Sequence, residues 1–136
     1  MLNVDRSIIN FKKLIFKLTQ MKDNIFKICS LESWKSAEIK GIFDGYGIDI
    51  TDGFIHFSKI NQIEQTLELH FKNSKNLVLL SVKHEELQIT WEKSRNNQTF
   101  PHLYGNLDTK HVEEVFYLKQ DMSGNFIIPE KILSEL

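Results

Sequence analysis

From residue 7 onward the apolar positions Ile8, Phe11, Ile15 and Leu18 recur at helical spacing, with Lys12, Lys13, Lys17 and Lys22 around the rest of the turn. Residues 7–22 therefore predict a basic amphipathic helix. It belongs to an N-terminal extension or helix over 1–23, which either packs on a single α+β domain over 24–136 or docks on a partner or membrane surface. IFKIC (25–29) predicts a strand, and Ser30 stands where it would cap a short helix, LESWKSAEI, that buries Leu31 and Trp34. GIFDGYGIDITDG (41–53) holds four of the six glycines and three aspartates, so it predicts a long, turn-rich loop.

FIHF (54–57) reads as a short strand with Phe54 and His56 on one face. Ser58 then caps a helix whose Ile60, Ile63, Leu67 and Phe71 keep helical spacing. NLVLLSV (76–82) is an unbroken apolar run, the pattern of a strand buried on both faces. ITWE (89–92) alternates, with Ile89 and Trp91 opposed to Thr90 and Glu92. FPHLYG (100–105) follows neither period and predicts a turn or the wall of a site. VEEVFYL (112–118) returns to a strand pattern, DMSGN (121–125) to a turn, and FII (126–128) to a partner strand before Pro129 opens a short terminal helix. Helices come early and strands late, which predicts small antiparallel sheets with flanking helices, not a doubly wound parallel sheet.

Composition narrows this only slightly. At 136 residues and 41% hydrophobic side chains, the chain suits one domain with its own core. A formal charge of −1 provides no general attraction for nucleic acid or anionic lipid, so nucleic acid is not an expected partner and any basic site must be local. Cys29 is the only cysteine, which excludes an intrachain disulfide and a paired-cysteine zinc site, and a reducing cytoplasm is the expected location. No apolar run approaches the roughly 18 residues of a membrane helix, and no secretion signal is visible.

Several familiar chemistries fail on spacing. HEELQ (84–88) has Gln88 where a zinc-protease helix needs its second histidine, and GYGIDI has Ile50 where a dinucleotide loop needs glycine. No metal site is expected. What remains is His56 and Ser58 at one strand end, Trp91 and Glu92 on another strand, and Arg95, His102 and Tyr104 close behind. A histidine can hold a ribose hydroxyl or move a proton, an aromatic face can stack on a heterocycle, and a carboxylate can steady an oxocarbenium ion. Arg95 or Lys59 can meet a phosphate. Each residue also has a structural explanation: a half-buried histidine, an N-cap at Ser58, a solvated Glu92, a turn around Pro101 and Gly105.

NIFKI, the tryptophan of SLESW, DGFIHFS, the LVLL and TWE strands and FPHLYG occur in the order and approximate spacing of a bacterial family of unknown function, number 952 of its kind. Residues 24–118 resemble that family, which in turn resembles the ADP-ribosyltransferase fold, a pair of perpendicular antiparallel sheets around a nicotinamide-nucleotide cleft. The resemblance implies NAD as a ligand, His56 as the ribose-holding strand histidine, Tyr104 as a stacking ring and Glu92 as the acid. In transferases of the diphtheria-toxin type the acid comes last in the chain, an order that Glu113 or Glu114 would restore. The expectation is a nucleotide-binding cleft with His56, His102 and Glu92 as catalytic candidates and Ser58, Trp91, Arg95 and Tyr104 as ligand contacts. Its activity would be ADP-ribosyl transfer or NAD hydrolysis. The alternative is a non-catalytic ligand-binding or interaction module on the same fold.

Overall fold

The computed structural model describes residues 5–136, except for the side chains of residue 13 and residues 15–20. Helix α1 (Arg6–Met21) follows the predicted periodicity, with Ile8, Phe11 and Leu14 more than half exposed. The Ile15 and Leu18 side chains, part of the expected apolar stripe, lie outside the described ones. Strand β1 (Ile25–Ser30) runs into α2 (Leu31–Lys40), where the Ser30 hydroxyl accepts a hydrogen bond from the Ser33 N–H. Gly41 closes α2 at φ +83°, a left-handed conformation that only glycine takes without strain, and its N–H donates to the Ala37 carbonyl.

The remaining elements form a mixed α/β domain with small antiparallel sheets. Strand β4 (Leu77–Val82) is the centre of a three-stranded sheet, flanked by β1 and β8 (Val112–Tyr117). Every residue of β4 is buried, because Val78, Leu80 and Val82 pack into one apolar cluster and Leu77 and Leu79 into another on the opposite face. A second three-stranded sheet has the order β3 (Ile55–His56), β6 (Thr99–Leu103), β5 (Ile89–Lys93). The two sheets meet where Phe26 of β1 and Ser58 exchange backbone hydrogen bonds of 2.8 Å in both directions. A two-residue pair, β2 (Ile42–Phe43) with β7 (Leu107–Asp108), completes the antiparallel pairing.

Four local expectations are corrected. FPHLYG is largely strand: β6 lies between two neighbours and is buried from Phe100 to Leu103, so its solvent-facing period is missing. Pro101, a residue that discourages a central strand, is accommodated because its carbonyl is the group used, accepting from Phe57 N–H at 3.0 Å. The expected loop 41–53 contains β2 and a short helix, α3 (Ile48–Asp52). Ser58 is not an N-cap. The helical turn after it starts beyond Lys59, whose N–H donates to the Gln62 side chain, and leads into α4 (Ile63–His70). Finally, FII pairs only through one bridge, Phe126 with Gln120, before α5 (Glu130–Leu133).

Candidate functional site

A cavity of about 370 Å³ opens where the two sheets meet, walled by β1, the residues around α3, the end of β3, α4, β6 and Arg95. Its deepest feature is a buried charge cluster. Lys27 shares its face of β1 with Ile25 and Cys29, and its ammonium reaches Asp49 Oδ2 at 2.6 Å and donates to the His56 carbonyl at 2.9 Å. Asp49, only 3% exposed, is brought in by α3. Its two oxygens also accept from the backbone N–H groups of Tyr46 (2.8 Å) and His56 (3.1 Å) and face His56 Nδ1 at 2.7 Å. Four polar neighbours around one carboxyl group are best satisfied by a carboxylate. Burial alone would raise the Asp49 pKa, but the His56 hydrogen bond and the charge and hydrogen bond of Lys27 bring it below its ordinary value. Burial pulls the Lys27 ammonium below its usual value against the attraction of Asp49. The contact geometry identifies the two as an ion pair.

Gly45 permits this arrangement. Its φ is +117°, and a Cβ there would stand 2.9 Å from Asp49 Cβ. The outer nitrogen of His56, Nε2, meets Asp52 Oδ2 at 3.0 Å, so two carboxylates one turn apart on α3 hold both nitrogens of the same ring.

Pairing of β3 with β6 sets His56 directly opposite His102, with ring centroids 5.3 Å apart. Phe54 packs on both rings at 4.3 Å and on Tyr104 at 4.9 Å, so one aromatic side chain braces all three. His102 Nδ1 is 2.9 Å from Glu92 Oε1, which also accepts from the Tyr104 hydroxyl at 2.7 Å. The Tyr104 hydroxyl first, and His102 second, hold the Glu92 carboxyl below its ordinary value, while Glu92 pushes the Tyr104 phenol up. A carboxylate on Nδ1 fixes the ring's orientation and leaves Nε2 available to a ligand, the arrangement of a positioned acid or base.

The structure therefore divides the expected site residues. His56, Ser58, Arg95 and His102 line the cavity. Glu92 and Tyr104 do not line it; they stand behind His102. Trp91 is on the exposed side of β5, edge-on to His84 at 5.9 Å. Ser58 is buried with its hydroxyl 3.1 Å from that of Thr66. Glu113 and Glu114 are engaged elsewhere, Glu113 accepting from Asn24 and Glu114 pairing with Lys131 at 2.8 Å. Sequence reasoning passed over Lys27 and Asp49. A lysine inside the apolar strand IFKIC was the available signal, since a buried ammonium needs a partner. Among the described residues no group of three or more His, Cys, Asp or Glu side chains is placed to hold a metal, and no helix is long and apolar enough to cross a membrane.

These features define a mixed α/β domain whose antiparallel sheets meet at a cleft held by buried charge. Residues 28–115 match the family described as protein of unknown function (DUF952), and the chain belongs to that family. It is similar to the crystal structure of protein CC0527 from Caulobacter crescentus, at 37% identity and a TM-score of 0.76, over 81% of this chain and 98% of that one. The solution NMR structure of CC0527 aligns at 40% identity and a TM-score of 0.66, over 74% and 89%. No curated protein matches the chain.

Proposed function

We propose that the cleft binds a small nucleotide, with NAD as the first candidate, on a fold of the ADP-ribosyltransferase type. The observation that carries this reading is the pair His56 and His102, side by side on the cavity wall, each with a carboxylate on Nδ1. Of the two, His102 keeps Nε2 for a ribose hydroxyl, whereas His56 holds Asp49 and Asp52 with its two ring nitrogens and shapes the wall; the aromatic side chains of Tyr46, Phe57 and Phe100 suit a heterocycle. Arg95 provides the cation that a phosphate needs.

Binding is better supported than ADP-ribosyl transfer. Glycosidic cleavage calls for a carboxylate beside the reacting ribose. Asp49 is the one carboxylate on the cavity wall among the described residues, and Lys27 already neutralises it. Glu92 is directed to His102 and Tyr104. His102 remains the group able to move a proton at the ligand, through Nε2.

The test is a ligand-observed NMR titration with NAD, ADP-ribose and nicotinamide on folded wild type and on His102→Ala. Saturable binding weakened by the substitution is expected. Absence of binding to folded wild type at millimolar ligand rejects the nucleotide reading, and nicotinamide release from NAD would restore transfer or hydrolysis.

A further inference from the structure

The charges on the cavity wall do not balance. Asp49 is its only carboxylate among the described residues and is matched by Lys27, which leaves the Arg95 guanidinium without a counter-charge. No acidic oxygen lies within 4.0 Å of Arg95 among those residues, and its Nε is a buried donor with no acceptor. The remaining contacts of the guanidinium are weak: Nη2 donates to the Thr66 hydroxyl at 3.3 Å, and the group stacks over Phe100 at 4.9 Å. Burial lowers the Arg95 pKa. Burial, followed by the positive charges of Arg95 and His56, lowers that of His70, which lines the same end of the cavity. An uncompensated cation beside an imidazole that is harder to protonate is the signature of a place prepared for negative charge.

The other donors there select the kind of anion. Ser74 and Ser94 also line the cavity, and neither hydroxyl makes a hydrogen bond among the described residues. With Arg95 and His70 they give the cavity wall four donor-bearing residues; the larger charge and three terminal oxygens of a phosphate monoester suit an unmatched guanidinium among such donors better than the single charge of a carboxylate.

We propose that this end of the cleft, formed by Arg95, His70, Ser74 and Ser94, is a subsite for a terminal phosphate group. The proposal rests on the cleft being a ligand site, and within the nucleotide class it favours molecules that carry a phosphate monoester over NAD, whose two phosphates form an internal pyrophosphate. Arg95 is the principal contact, its guanidinium being the unmatched cation on the cavity wall. Thr66 is a positioning residue that holds the guanidinium at the wall.

The experiment uses the full chain with three probes: inorganic phosphate, adenosine and adenosine monophosphate. ¹H–¹⁵N spectra follow the Arg95 Nε–H and the His70 ring, with sodium chloride at equal ionic strength as the control. Phosphate should shift both signals saturably where chloride does not. Adenosine monophosphate should bind about tenfold or more tightly than adenosine, as a charge-assisted contact predicts. The ratio should fall close to one in Arg95→Met and recover partly in Arg95→Lys; His70→Ala provides a second variant should Arg95→Met fail to fold. A ratio unchanged in both variants overturns the subsite, as does tight binding of adenosine with no gain from the phosphate, which leaves the nucleotide reading intact. Phosphate binding that depends on Arg95, with neither adenosine compound gaining over phosphate itself, sustains the subsite and rejects the nucleotide.

Discussion

Replacing Lys27 by Met tests the charge cluster that supports the cleft. The substitution keeps an unbranched apolar stem in β1 and removes the ammonium 2.6 Å from Asp49 Oδ2. At that separation and an effective dielectric of about 20, the gross attraction is roughly 6 kcal/mol. Desolvation of both ions cancels much of it, and stranding one partner of a buried pair typically costs about 3–5 kcal/mol. Asp49 keeps the Tyr46 and His56 backbone donors and the His56 ring, so a loss near 3 kcal/mol is expected. With an unfolding entropy of about 2.1 cal/mol/K per residue, that loss lowers Tm by roughly 10 °C in a 136-residue chain.

The assay is thermal and urea unfolding followed by circular dichroism at pH 7 and at acid pH. The Asp49 carboxyl lies below its ordinary value in the folded protein. Its contribution is therefore complete above the unfolded value of about 3.9 and is lost as pH falls through the folded one. In Lys27→Met two of the influences that lower it are gone, burial pushes the carboxyl up, and protonation relieves the stranded charge. The deficit relative to wild type should thus shrink as the solution becomes more acidic, and adding Asp49→Asn should recover part of it at neutral pH. A deficit below about 1 kcal/mol at pH 7, or one that does not change with acidification, refutes the argument.

Three further outcomes follow from the same contacts. Gly45→Ala should lose about 1–3 kcal/mol, because φ +117° disfavours a side chain and the new methyl meets Asp49 Cβ; an unchanged urea midpoint would count against it. Burial pushes the Cys29 thiol up to about 12, so Ellman's reagent should label it only when urea unfolds the chain, and rapid labelling of native protein would contradict its burial. Tyr104→Phe removes the hydrogen bond that most lowers Glu92, so the Glu92 carboxyl should titrate at higher pH in carbon-detected NMR, and an unmoved midpoint would show that His102 alone sets it.

Local pattern carried much of this fold. The spacing of α1, the Ser30 and Gly41 boundaries of α2, and the unbroken run of β4 were legible because each depends on neighbours within a few residues. His56 on the face of Phe54 was legible for the same reason, since alternation along a strand is a property of the backbone. Tertiary structure decided the rest. FPHLYG read as a turn or the wall of a site; β3 and β5 on both sides of β6 make it a strand, with partners that accommodate the proline, and put Phe100 and His102 on the cavity wall. Glu92 was legible as a candidate, but only the register of β5 on β6 turned it toward His102 and away from the cavity. Lys27, Asp49 and Arg95 lie far apart in the chain, and no periodicity links them. The pairing of two buried charges and the isolation of a third are set by where the sheets meet, because electrostatic energy depends on distance in space and on exclusion of water, neither of which is written in local spacing.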